Sequence, residues 1–180
     1  MYIIREAQTA ADIAQARELF LEYQSSLGVD LCFQGFAEEL ASLPGHYARP
    51  AGRLLLASNE SSVLGVVALR PILSTDCEMK RLYVRSSGRG AGLGRLLTHA
   101  LIKEARFAGY SRVLLDTLPT MTEAQALYRS VGFVEIAAYC HNPIAGTRYM
   151  ALNLHDKPAR SSSICSKSDL MNADDQDARS

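Results

Sequence analysis

The sequence predicts one mixed α/β domain built on a central, mostly antiparallel sheet of about six or seven strands flanked by about four helices. Two observations predict it. Apolar runs pair up across short turns, as RLLLAS (53–58) and VLGVVALRPI (63–72) do across NESS, the pattern of an antiparallel hairpin. Later strands are separated by helical stretches instead, which makes the domain mixed α/β. A length of 180 residues, 48% hydrophobic and 21% charged, suits one domain with a sizeable core.

The elements follow in order. YIIR (2–5) reads as a short first strand. A helix is expected at about 10–27, where Ile13, Ala16, Leu19, Phe20 and Tyr23 recur at helical spacing, with Thr9 or Asp12 to cap its start and Gly28 its end. A second helix at 34–43 stops before Pro44-Gly45, and 44–52 is a loop. After the hairpin comes a third strand of the series, CEMKRLYV (77–84), then a glycine-rich loop and a long helix at about 93–108. RVLLDTL (112–118) is a strand, 121–131 a helix stopped by Gly132, and FVEIA (133–137) and TRYMALNL (147–154) are the last strands. From about 156 the chain is polar and without apolar period, the composition of a disordered tail.

Composition excludes several classes. Lys plus Arg equals Asp plus Glu at 19 each, so no basic field exists to collect nucleic acid. Arg5 and Glu6 interrupt the segment where an export signal would be apolar, and no run approaches the length of a membrane span. Cys32, Cys77, Cys140 and Cys165 show no CxxC spacing, and read as reduced thiols of a cytoplasmic protein. His46, His99, His141 and His155 are too scattered for a metal site, so no metal is expected.

The stretch RGAGLGRLL (89–97) carries the first functional signal. A Walker loop needs Lys-Ser or Lys-Thr after its last glycine, which is absent here. A dinucleotide fingerprint needs a third glycine where Arg95 or Leu93 stands, and it opens a βαβ unit, whereas 53–84 read as antiparallel strands. What remains is Arg89-x-x-Gly92-x-Gly94 between a strand and a helix. Bare amides at a helix N-terminus carry partial positive charge, glycines admit a ligand close to the backbone, and Arg89 and Arg95 add charge. That chemistry favours an anion such as a diphosphate; a glycine-rich turn that merely caps a helix is the alternative.

EMKRLYVRSSGRGAGLGRLL (78–97) resembles the acyl-CoA-binding segment of the GNAT superfamily of N-acyltransferases, whose pattern is an apolar strand, [Q/R]xxGx[G/A] and a helix. EAQALYRSVGFVEI (123–136) resembles the same family's helix with a Leu-Tyr pair followed by Gly-Phe and a strand. YCHNPIAGTRYMALNL (139–154) resembles the C-terminal part of small bacterial members, so the likeness covers 1–154. It implies a GNAT-like fold in which the strands at 77–84 and 112–118 splay apart around acetyl-CoA. Backbone groups of Leu82, Tyr83 and Val84 would bond the pantetheine arm. The amides of Arg89, Gly90, Ala91, Gly92, Leu93 and Gly94, beside the Arg89 and Arg95 side chains, would hold the diphosphate. Many members place an Asn seven residues before the helix tyrosine; here that position is Met121, which cannot replace the amide, so Thr120 or Thr122 is left as the alternative.

The resemblance further implies acetyl transfer to a primary amine by direct attack through a tetrahedral intermediate, without metal. An amide near Val84 would face the oxyanion. Tyr128 would protonate the departing thiolate; the alternative is a tyrosine that packs its ring and bonds a carbonyl. Strand alternation puts Glu78, Lys80, Leu82 and Val84 on one face and Met79, Arg81 and Tyr83 on the other. Glu78 is the first candidate for the base that takes the amine proton, directly or through water, and Asp116 the second; the alternative for Glu78 is an ion pair with Lys80, Arg81 or Arg70. Acceptor recognition falls to the first two helices, with Glu18, Glu22, Asp30, Glu38 and Glu39, and to the 138–146 loop. The acceptor is a small-molecule or protein amine, and neither nucleic acid nor membrane is expected as a partner. A homodimer is compatible with the resemblance, though no sequence feature marks an interface. A non-catalytic acyl-CoA sensor would need the glycine loop but neither Tyr128 nor Glu78.

Overall fold

A computed structural model describes residues 1–29, 31 and 35–155. Asp30, Cys32, Cys165 and the tail expected from about 156 lie outside the described residues. The strands are β1 (Ile3–Glu6), β2 (Arg53–Ser58), β3 (Val63–Pro71), β4 (Asp76–Val84), β5 (Arg112–Thr117), β6 (Val134–Ile136) and β7 (Arg148–Asn153). The helices are α1 (Ala10–Leu27), α2 (Phe36–Ser42), α3 (Leu93–Phe107) and α4 (Thr122–Val131). The strands form one sheet in the order β1-β2-β3-β4-β5-β7-β6. The β4–β5 pair is parallel and its neighbours are antiparallel.

Local chemistry sets the boundaries. Thr9 accepts from the Asp12 amide while the Asp12 carboxylate accepts from the Thr9 amide, so the two expected caps of α1 act together as a capping box. Gly28 ends that helix at φ 64°, a left-handed turn that a side chain resists. In the β2–β3 turn, Asn59 Oδ1 accepts from the amides of Ser61 and Ser62.

The sheet separates two apolar layers. On one face Leu97, Leu101 and Ala105 of α3 and Tyr128 of α4 pack on Leu55, Val67, Leu69, Cys77, Met79 and Leu115. On the other, Ala16, Leu19 and Phe20 of α1 and Phe36 of α2 pack on Leu54, Leu56, Val66 and Ala68. Each fully buried leucine contributes about 1.5–3 kcal/mol. These layers clamp β3 and β4 in the middle of the sheet and so fix where β4 can part from β5.

Candidate active site

The parallel β4–β5 register ends at Glu78 opposite Leu114. Beyond it β5 stays paired with β7 through Thr117, while β4 stays paired with β3 through Val84. The two strands therefore splay, and one backbone edge of residues 79–84 faces a cleft. Its walls include Lys80, Leu82, Asp116, Thr117, Met121 and Tyr128.

A bulge reorders the β4 wall. Ala68 faces Lys80 but Val66 faces Tyr83, so Arg81 and Leu82 together oppose the single residue Val67. Arg81 takes the left-handed conformation at φ 58°. The extra residue inverts the alternation beyond it. Leu82 and Val84 join the layer under α3, whereas Tyr83 packs with the α1 layer. The expected sharing of one face by Glu78, Lys80, Leu82 and Val84 is thus corrected: Arg81 and Tyr83, not Leu82 and Val84, lie on the Glu78 side.

Downstream of β4 the chain forms a tight loop. Arg85 is pinned by Glu18, by Glu22 and by the Val63 carbonyl, which assigns both α1 glutamates to the scaffold. Gly90 and Gly92 adopt φ 78° and 76°, and a Cβ at either would meet nothing within 4 Å. Backbone conformation, not lack of space, therefore requires glycine at both. Gly92 caps α3 with no side-chain hydrogen bond, so the first-turn amides at Leu93, Gly94 and Arg95 keep their partial positive charge. Ala91 and Arg89 are exposed, and Arg89 Nε donates to the Val84 carbonyl at 3.1 Å. Leu93 buries its side chain in the core and can offer a ligand only its backbone. Gly94 lets α4 lie close, since a Cβ there would be 3.5 Å from Leu127. Arg95 reaches across to α4 and donates to Ser130 Oγ at 2.9 Å.

The cleft's other side carries charge inside the protein. Glu78 is 1% exposed; Arg70 donates to its Oε2 at 2.7 Å and the Tyr139 hydroxyl to its Oε1 at 2.7 Å. Lys80 Nζ bridges two carboxylates, 3.0 Å from Asp116 Oδ1 and 3.7 Å from Glu78 Oε1. Asn142 donates to Asp116 Oδ2 at 2.9 Å. Arg81 pairs with Glu39 of α2 at 2.6 Å and lies over the Phe36 ring. Burial raises the Asp116 carboxyl, but the Lys80 charge and the Asn142 amide outweigh it and hold the group below the ordinary carboxylate range. Burial likewise pushes the Tyr128 phenol far up, so it stays protonated at any working pH. Tyr128 is 5% exposed, tilted against Phe133 with ring centroids 5.8 Å apart. Lys80 was expected only as an ion-pair partner of Glu78, and Tyr139 and Asn142 only as part of the 138–146 loop; the charged run within EMKR, in the middle of a strand, was the signal for Lys80.

The histidines and cysteines stay apart. Among the described residues no group of three or more His, Cys, Asp or Glu is placed to hold a metal ion. Cys77 is buried and free, its thiol pushed up to about 12 by burial; Cys140 is exposed and free. No helix among the described residues is long and apolar enough to cross a membrane.

Known proteins resemble this chain in sequence and in fold. An uncharacterised N-acetyltransferase of Schizosaccharomyces pombe is 42% identical over 145 residues, spanning 79% of this chain and 89% of that protein. One from Dictyostelium discoideum is 31% identical, spanning 78% and 94%. The fold matches the structure of yncA from Salmonella typhimurium, solved with its cofactor acetyl-CoA, at a TM-score of 0.62 and 22% identity, covering 90% of this chain and 99% of that one. A sequence model of the Acetyltransferase (GNAT) family matches residues 13–133, a span that holds the splayed strands, the glycine loop and the Tyr128 helix. With its splayed sheet and that match over most of its length, the chain belongs to the GNAT family of acetyltransferases.

Proposed function

We propose that the chain moves an acetyl group from acetyl-CoA to a primary amine by direct attack through a tetrahedral intermediate. The carrying observation is the β4–β5 opening, which meets the uncapped α3 N-terminus on one side of the sheet and the charged Glu78–Lys80–Asp116 layer on the other. Donor and acceptor can then approach from opposite faces and meet in the gap. The acetyl-CoA held by yncA, and the coenzyme A held by an aminoglycoside 6'-N-acetyltransferase of TM-score 0.66, support this donor.

In this reading the amides at 90–94 hold the diphosphate, with the Arg89 and Arg95 side chains beside it; the Arg89 amide, expected among them, donates to the Ser86 carbonyl at 3.2 Å instead. The free edge of Leu82, Tyr83 and Val84 bonds the pantetheine arm, and an amide near Val84 faces the oxyanion. Tyr128 gives its proton to the sulfur as the carbon–sulfur bond breaks. The amine proton leaves through the Lys80-bridged carboxylates. Asp116 lines the cleft and takes the proton there; Glu78, enclosed by Arg70 and Tyr139, receives it only through water or through its neighbour. The acceptor is a small-molecule or protein amine entering past α2 and the 138–146 loop.

Release of free CoA thiol from acetyl-CoA, followed across a panel of amino acids, polyamines, aminoglycosides and peptides, tests this. Amine-dependent thiol release matched by acetylated amine is expected. Tight acetyl-CoA binding with no amine-dependent release across the panel would favour a non-catalytic sensor instead.

A further inference from the structure

Thr117 ends β5 on the cleft wall and is 3% exposed. Among the described residues its Oγ1 is the buried side-chain oxygen or nitrogen without a hydrogen-bond partner. A hydroxyl in that state is costly, and valine would fill nearly the same volume without the cost. The acceptors of its two sequence neighbours are engaged elsewhere. The Leu118 carbonyl accepts from Gln125 Nε2 at 2.8 Å and from the Met121 amide at 3.0 Å. The Asp116 carboxylate is held by Lys80 and Asn142. A partner from outside the chain would satisfy the hydroxyl.

Position says which partner. Strand alternation puts Thr117 on the same face of β5 as Val113 and Leu115, which pack in the layer that holds Tyr128. Thr117 and Tyr128 thus belong to the donor side, opposite the Lys80–Asp116 pair. The cleft side chains near them, Met79, Leu82, Leu115, Leu118 and Met121, are apolar. An acyl-pantetheine arm lying there brings amide groups that must be hydrogen-bonded once water is excluded. The β4 edge can serve one side of the arm. On the β5 side the Thr117 hydroxyl is free to serve the other, and the unbranched Met121 beside it can yield to admit the arm.

We propose that Thr117 Oγ1 is a donor-binding group that hydrogen-bonds an amide of the pantetheine arm. The inference rests on the acetyl-CoA reading above. It makes Thr117 a binding residue rather than a proton carrier.

The test is calorimetric binding of CoA and of 3'-phosphoadenosine 5'-diphosphate, which keeps the diphosphate and lacks the arm, to the wild-type chain, Thr117→Val and Thr117→Ser. Thr117→Val is expected to bind CoA about five- to twentyfold more weakly, with an unchanged or higher melting temperature, because only an unpaired hydroxyl is lost. Its affinity for the diphosphate should match wild type, and Thr117→Ser should restore CoA affinity. In turnover, the KM for acetyl-CoA should rise while kcat moves little. Wild-type CoA affinity in Thr117→Val overturns the inference alone. So does an equal loss for both ligands, or a fall in melting temperature that would reveal a partner within the protein. A wild-type chain that binds no CoA overturns the acetyl-CoA reading, and this inference with it.

Discussion

On the α3 side of β4, Cys77, Met79, Leu82 and Val84 meet leucines and the Tyr128 ring; on the α1–α2 side, Glu78, Lys80 and Arg81 meet carboxylates, a phenol and an arginine. Cys77 and Met79 on one face and Glu78, Lys80 and Arg81 on the other are all buried, so water accounts for neither pattern. The apolar face ends in an uncapped helix start whose amides attract an anion by backbone alone. The charged face consists of side chains, each placed by a partner from α2, β3, β5 or the 138–146 loop. The first arrangement depends on chain conformation and tolerates many sequences; the second depends on residue identity. In the proposed reading donor binding belongs to the one and acceptor chemistry to the other, with the Arg81 bulge as the boundary.

Substitutions can break that division. The largest effect is expected for Gly92→Glu, which strains a φ of 76° and sets a negative charge against the α3 amides. Acetyl-CoA affinity should fall by about a hundredfold or more, with the fold retained. Calorimetry checks it, and near-normal binding by the folded variant would detach the donor from the loop.

Tyr128→Phe keeps the ring against Phe133 and removes the phenol. Turnover is expected to fall by about ten- to a thousandfold while the KM for acetyl-CoA moves much less. The loss should shrink for an acyl donor whose thiol is more acidic. A stable variant with wild-type turnover would remove Tyr128 from the chemistry.

Asp116→Asn acts on the opposite face. It should lower turnover by about ten- to a hundredfold with acetyl-CoA affinity intact, and should cost about 1–3 kcal/mol of stability by weakening the pairing of Lys80. Glu78→Gln is the companion, and a greater loss of turnover there than in Asp116→Asn would return the proton to Glu78. Chemical denaturation and steady-state kinetics on both variants separate the two costs.

The smallest effect lies far from the cleft. Burial raises the Asp12 carboxyl, but hydrogen bonds from the Thr9 and Gln8 amides and from Arg5 outweigh it and hold the group well below the ordinary range. A carboxyl depressed on folding stabilises the fold above its unfolded pKa of about 3.9, and the contribution drains away as pH falls toward the folded value. Asp12→Asn should cost about 1 kcal/mol at neutral pH and should flatten the decline of melting temperature below about pH 5. Turnover per folded molecule should not change, which separates charge that serves the fold from charge that serves the cleft.

How much of this is legible in sequence follows the same division. The strand and helix order, the α1 cap and the glycine loop are written in local periodicity and turn chemistry, and they stand where expected. The charged layer is not local. That Lys80 reaches Asp116, and Tyr139 reaches Glu78, depends on partners distant in the chain. The bulge was invisible because EMKRLYV alternates acceptably in either register, and only pairing with β3 shows that Arg81 is the extra residue. That Met121 stands where many family members place an Asn is readable from the sequence, but Thr117 could be singled out only once the hydrogen-bond partners of its neighbours were known.

The division is tested most directly by backbone amide hydrogen exchange with and without saturating acetyl-CoA. Slowed exchange is predicted at residues 90–95 and along the free edge at 82–84, with α2 and the 138–146 loop unchanged until an amine acceptor is added. Protection confined to α2 and the 138–146 loop, with exchange at 90–95 unaltered, would place the donor on the charged face and contradict the account.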